Sequence, residues 1–204
     1  MFDAAPDASL RWHDWQGVAR HSPVSCCRKE GVPAMTTTLL RGIHHSAYRC
    51  RDAEETRAFY EDLLGLPLAA ALEEEREPGS GRPNPFVHIF FKLGDGNYIA
   101  FFDAPQTAAP TSFDLVHGFD RHVAFEAADE AAMLGWRDKL NAAGVPCFGP
   151  IDHGFVKSVY FADPNGLPLE ITARVATHDA IMAQEAAHAR AVVAGWSAKK
   201  AVAA

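Results

Sequence analysis

The chain has 204 residues, of which 48% are hydrophobic and 22% charged, and its formal net charge is -7. That length suits one domain of ordinary size or two small modules sharing one core, and the acidic balance without a basic patch argues against dependence on nucleic acid. No run of about 18 apolar residues could span a bilayer, and the N-terminus MFDAAPDASLRW lacks the basic start and apolar stretch of a signal peptide. The expected location is therefore cytoplasmic, with no membrane partner.

Residues 1–34 show no sustained period and mix Trp12, Trp15 and His21 with turn formers. A loosely ordered N-terminal extension is expected over residues 1–40, with Met35 as a candidate true start. From residue 42, GIHHSAYRC alternates as a strand does, and DAEETRAFYEDLLG has helical spacing, with Asp52 as N-cap and Gly65 as the stop. Residues 68–72 fit a short strand. A polar loop, EEEREPGSGRPNP, separates it from two aromatic strands, FVHIFFKL and NYIAFFDA, joined by the hairpin signal GDG. The first half thus reads βαβββ.

After a linker at residues 104–119, the second half repeats the order: strand DRHVAFEA, helix DEAAMLGWRDKLNAAG, a short segment VPCFGP, then VKSVYFAD and LPLEITA around PNG. The fold class expected is α+β, with modules 41–104 and 119–173 paired into an open, U-shaped mixed β-barrel. The linker reaches roughly 50 Å at about 3.3 Å per residue, enough to pair the halves within one chain; exchange between two chains, as a homo-oligomer, is also open. A C-terminal helix over residues 174–204 has Ile181, Glu185, His188, Val192 and Trp196 at helical spacing and reads as a packing helix.

The four cysteines, Cys26, Cys27, Cys50 and Cys147, have no CxxC spacing, so reduced thiols are expected rather than a zinc knuckle or disulfide framework. The histidines are more informative. His45 and His122 sit early in the first strand of each half, and Glu170 lies in the last strand of the second. Strand alternation puts His45 on a face with Ala47 and Arg49, His122 with Ala124, and Glu170 with Pro168 and Thr172, so all three can point inward. Two imidazoles and a carboxylate form the facial ligand set of non-haem Fe(II) sites, and the same set accepts Zn, Ni or Mn. A carboxylate in an apolar strand is costly unless a cation or other partner offsets it.

The segments HHSAYRCRDAEETRAFYEDLLGLPL and HVAFEA…ADPNGLPLEI resemble the two modules of the vicinal oxygen chelate superfamily, which includes glyoxalase I, epimerases, fosfomycin and bleomycin resistance proteins and type I extradiol dioxygenases. In glyoxalase-like members a fourth ligand occupies the last strand of the first module, where this chain has Ala100. The spacing from Ile151-Asp152-His153 through Tyr160 and Asp163-Pro164-Asn165-Gly166 to Glu170 resembles the extradiol ring-cleavage pattern. That resemblance implies an Fe(II)-dependent dioxygenase opening a catechol-like or other vicinal-oxygen substrate with O2. It makes His45, His122 and Glu170 the metal ligands, Tyr160 a donor to a substrate hydroxyl or its bound oxygen, and His153 a residue that positions substrate. Asp163-Pro-Asn-Gly is read as a turn without chemistry.

The pattern departs from the extradiol enzymes at one acid/base histidine, for which His117 is the nearest substitute, and in lacking a further N-terminal module pair. Two other functions fit the same residues: a glyoxalase-type lyase or isomerase using a redox-inert metal, and a metal-free small-molecule binding or resistance protein. One face of the aromatic strands, with Phe86, His88 and Phe90 beside Tyr98, Ala100 and Phe102, would suit a flat ligand or ordinary core packing equally well.

Overall fold

A computed structural model describes residues 40–109 and 111–203. The N-terminal extension up to residue 39, including Cys26 and Cys27, lies outside the described residues. The fold divides between Ser112 and Phe113 into two compact units, and the two expected modules appear as two open four-stranded sheets of identical topology.

The first unit runs β1 (His45–Cys50), α1 (Ala53–Arg57), β2 (Leu68–Arg76), β3 (Pro83–Lys92) and β4 (Tyr98–Asp103), in sheet order β1-β4-β3-β2. Asp52 caps α1 by accepting the Glu55 amide at 2.7 Å, which satisfies one of the orphan N–H groups of the first turn. The helix then widens into a π-helical turn at Ala58–Leu63, with the Leu64 amide bonded to the Phe59 carbonyl, and ends at Gly65, whose φ of 74° suits a residue without Cβ. The widened turn presents Phe59 and Tyr60 together, both buried. Tyr60 stacks on Phe91 with centroids 5.2 Å apart and meets Phe101 at 4.8 Å, so the helical layer is held mainly by aromatic contact.

One strand is longer than the sequence suggests. β2 continues through Glu73, Glu74, Glu75 and Arg76, residues expected in a loop, because their ladder partners Val87, Phe86 and Pro83 extend β3 to match. A glutamate-rich strand is tolerated here because it lies at the sheet's edge with its side chains exposed. The remaining loop is closed by Glu77, which accepts from Arg82 at 2.7 Å, Asn84 at 3.0 Å and Ser80 at 3.1 Å.

The second unit runs β5 (Val123–Glu126), α2 (Glu130–Ala142), β6 (Phe148–Asp152), β7 (Val156–Ala162), β8 (Pro168–Arg174) and α3 (His178–Ala203), in sheet order β5-β8-β7-β6. Asp129 caps α2 as Asp52 caps α1, accepting the Ala132 amide at 2.8 Å. Met133 and Leu140 of α2 are buried, as are Val159, Phe161, Leu169, Ile171 and Ala173 of the sheet, and α2 packs on β7 and β8. Cys50 and Cys147 are buried and lie outside any disulfide.

The C-terminal helix differs from its expected role. Alanine content gives α3 its helicity, yet no residue from Met182 to Lys200 is buried, so it is not a packing helix among the described residues. Its base alone is anchored, by His178 Nδ1 at 2.9 Å from the Phe155 carbonyl oxygen.

The turn between β7 and β8 organises the end of the second sheet. Buried Asp163 accepts the Asn165 and Leu167 amides, each at 2.8 Å. Gly166 has φ 72°, and a Cβ there would lie 2.7 Å from the Phe113 carbonyl oxygen. Replacing Asp163 with Ala orphans two amides and is expected to cost at least about 2 kcal/mol, read from the urea midpoint at unchanged m-value. Gly166→Ala combines a strained φ with a backbone collision, and a comparable loss is expected.

Candidate metal centre

The second unit assembles most of the expected site. The parallel pairing of β5 with β8 aligns Ala124 with Glu170, and the antiparallel pairing of β7 with β8 aligns Tyr160 with Glu170. His122 immediately precedes β5 rather than lying within it, and its Nε2 is 3.5 Å from Glu170 Oε2. The other ring nitrogen, Nδ1, is 2.7 Å from the Gly118 carbonyl oxygen. A carbonyl only accepts, so Nδ1 carries the hydrogen, and in the neutral ring the lone pair sits on Nε2, facing the carboxylate. A histidine held this way through its outer nitrogen is oriented as a metal ligand requires.

Glu170 is 8% exposed, whereas His122 is an exposed side chain. Tyr160 lies across from Glu170, and its hydroxyl is 2.6 Å from His153 Nε2. Burial and then the negative charge of Glu170 push the Tyr160 phenol above its ordinary pKa, which keeps it a hydrogen-bond donor. Phe148 stacks on its ring at 5.3 Å. His122, Glu170, Tyr160 and His153 thus form one continuous polar group on one face of the second sheet. Its donor set of an imidazole nitrogen and a buried carboxylate fits a divalent cation. Among the described residues, no three His, Cys, Asp or Glu side chains cluster closely enough to hold an ion.

His45 belongs to the first unit. It is exposed, with Nδ1 2.9 Å from His44 Nδ1, so its Nε2 is the nitrogen left for a ligand. The ladder puts His45 on a face with Ala47, Ala100, Phe90, His88 and Phe102. Ala100 is fully buried beside Ala47 and offers only a methyl group where a fourth ligand would stand. Arg49, on the same face, is committed to the Ala104 carbonyl at 2.6 Å and the Thr107 hydroxyl at 3.1 Å. His117 uses Nδ1 to accept the Phe119 amide at 3.1 Å within its own turn, a local role that gives no support to an acid/base one.

His88 is the residue whose role the sequence did not single out. Its ring stacks on Phe102 at 3.7 Å and lies 6.1 Å from the His45 ring, and its Nε2 is buried without a hydrogen-bond partner among the described residues. Only its strand phase relative to His45 could have marked it. Burial, with a smaller contribution from His45, lowers its pKa from 6.5 to about 4. The folded state then binds fewer protons than the unfolded chain between these values, so stability rises with pH through the window and is lost as pH falls from 6.5 toward 4. His88→Phe is expected to flatten that dependence in metal-free protein, measured as urea midpoints near pH 7 and about pH 5.

Comparison with known proteins agrees with this architecture. The family model described as Glyoxalase/Bleomycin resistance protein/Dioxygenase superfamily matches residues 42–171. The Bacillus subtilis (strain 168) protein named "Putative ring-cleaving dioxygenase MhqA" is 24% identical over 156 residues, covering 71% of this chain but only 43% of that protein. Among solved structures, a glyoxylase/bleomycin resistance protein/dioxygenase domain from Frankia sp. EAN1pec is 16% identical, with a TM-score of 0.55 over 67% of this chain and 100% of that one. A glyoxalase/dioxygenase from Nostoc punctiforme is 24% identical, with a TM-score of 0.52 over 71% and 98%. The fosfomycin resistance protein FosX from Listeria monocytogenes, solved with Mn(II) and sulfate, is 16% identical, with a TM-score of 0.50 over 69% and 98%. With the family model spanning both four-stranded modules, the chain belongs to the Glyoxalase/Bleomycin resistance protein/Dioxygenase superfamily.

Proposed function

We propose that the protein is a cytoplasmic, Fe(II)-dependent extradiol-type dioxygenase that opens a catechol-like ring with O2. In this reading the metal ligands are His45, His122 and Glu170. The observation that carries it is the arrangement beside Glu170: a tautomer-fixed His122 on one side, and a Tyr160 phenol bonded to His153 on the other. Ala100 supports it further, since a side chain without a donor leaves coordination positions for substrate and O2. The ring-cleavage wording in the name of the Bacillus subtilis relative points the same way.

Bound Fe(II) would acidify a catechol hydroxyl and mediate electron transfer to O2 from the catechol, which is the reductant. The chain's own residues do the rest. Glu170 on β8 and His122, just before the neighbouring β5, would supply one carboxylate oxygen and one imidazole nitrogen. Tyr160, protonated through its raised pKa, donates a hydrogen bond toward a substrate oxygen near Glu170. Exposed His153, 2.6 Å from that hydroxyl, orients it and connects it to solvent. The same donor set also takes Mn, Ni or Zn, and a glyoxalase-type lyase would use one of these without O2.

Anaerobic loading with Fe(II), followed by O2 uptake on a panel of catechols, tests the proposal. Metal-dependent O2 consumption with a ring-opened product is expected; turnover of a substrate without O2, or tight zinc or nickel binding with no O2 uptake on any diol, would overturn it. Glu170→Ala should abolish stoichiometric metal binding. Tyr160→Phe should keep the metal and slow turnover by roughly 100-fold. Metal analysis of both variants beside their kinetics separates the two roles.

A further inference from the structure

His122 takes its orientation from one peptide unit, and that peptide is held at both ends. The Gly118 carbonyl oxygen lies 2.7 Å from His122 Nδ1, and the amide of the same peptide, the Phe119 N–H, donates to His117 Nδ1 at 3.1 Å. The Asp120 amide donates to the His117 carbonyl at 2.9 Å and closes the turn. Burial does little to fix this segment: Leu115 is 69% exposed and Phe119 96%, and His117 is exposed too. A peptide beside a glycine in an exposed turn rotates at little cost unless hydrogen bonds hold both its N–H and its C=O.

We propose that His117 is a positioning residue for His122, acting across the Gly118–Phe119 peptide. The proposal rests on the reading of His122 as a metal ligand, and it gives His117 a role other than acid/base catalysis. To accept from Phe119, the neutral His117 ring must carry its hydrogen on Nε2 and a lone pair on Nδ1. That lone pair fixes the peptide plane, so the Gly118 oxygen stays aimed at His122 Nδ1. The hydrogen of His122 is thereby kept on Nδ1 and its own lone pair on Nε2, facing Glu170 Oε2 at 3.5 Å. The two bonds run head to tail through one amide, and bonds in such a chain polarise one another. An amide that donates through its N–H accepts better at its C=O, and an imidazole that donates through Nδ1 is a more basic ligand at Nε2. The competing explanation is ring packing, since the His117 and Phe119 rings meet edge-on with centroids 4.8 Å apart.

Two substitutions separate the hydrogen bond from the ring. His117→Phe keeps a ring and removes the acceptor. His117→Asn removes the ring and keeps an acceptor, because an asparagine side chain bonds the backbone two residues on. Nitrogen NMR of metal-free protein with isotope-labelled histidine, at about pH 8 where an ordinary imidazole is neutral, reads the His122 tautomer directly. His122 should be the Nδ1–H form in the wild type and in His117→Asn, and should show a severalfold larger share of the Nε2–H form in His117→Phe. Anaerobic Fe(II) binding, read by competition with a chromogenic chelator and with Glu170→Ala as the blank, should weaken about 5-fold in His117→Phe, the worth of one ordinary hydrogen bond, and recover in His117→Asn. An unchanged His122 tautomer in His117→Phe overturns the proposal, and so does His117→Asn behaving as His117→Phe does. A tautomer that shifts while Fe(II) affinity stays the same supports the positioning and overturns the reading of His122 as a metal ligand.

Discussion

The parallel pairing of the first and last strands of each module is the constraint on which everything else rests. Parallel neighbours cannot be joined by a tight turn; they need a crossover of a dozen or more residues. Here α1 with β2 and β3, or α2 with β6 and β7, fills that interval and returns the chain beside its starting strand. In the second unit the pairing draws His122, at the mouth of β5, to the carboxylate of Glu170 on β8, although 47 positions separate them in the sequence. In the first unit it sets His45 on the same face as Ala100. The two units therefore share one topology and present different chemistry at equivalent places: a carboxylate in one, a methyl group in the other.

Burial of Glu170 governs the electrostatics of the second sheet. A buried carboxylate is costly unless its neighbours compensate. Tyr160 does so in part by keeping its proton beside Glu170, with His153 bonding the phenol from the solvent side, whereas neutral His122, oriented by the Gly118 carbonyl, turns a lone pair and not a hydrogen toward the acid. A divalent cation would complete the same compensation more strongly. The opposite face of that sheet is ordinary core, with Val159, Phe161, Leu169 and Ile171 buried against α2. The hydrophobic layer thus supplies the rigidity with which the polar face is held.

Much of this was legible in the amino-acid order. Strand alternation, the capping aspartates Asp52 and Asp129, and the punctuation by Gly65, Gly96 and Gly166 follow from short-range sterics and hydrogen bonding, so they gave the βαβββ order twice. Misreadings arose where long-range partners decided. The Glu73–Arg76 run is polar enough for a loop and becomes strand only because β3 is there to pair with it. α3 has the periodicity of a packing helix, but periodicity does not say whether a surface exists to receive it.

The sequence by itself determined the residue types, the spacing and the duplicated strand order, because these depend on neighbours within a few positions. Only the tertiary structure decided that Glu170 is buried while His45 and His122 are exposed. It alone showed that His122 is fixed in one tautomer, that Tyr160 bonds His153, and that His88 holds a buried nitrogen without a partner among the described residues. Each of these depends on atoms brought together by sheet register and side-chain rotamer, which local sequence periodicity does not encode.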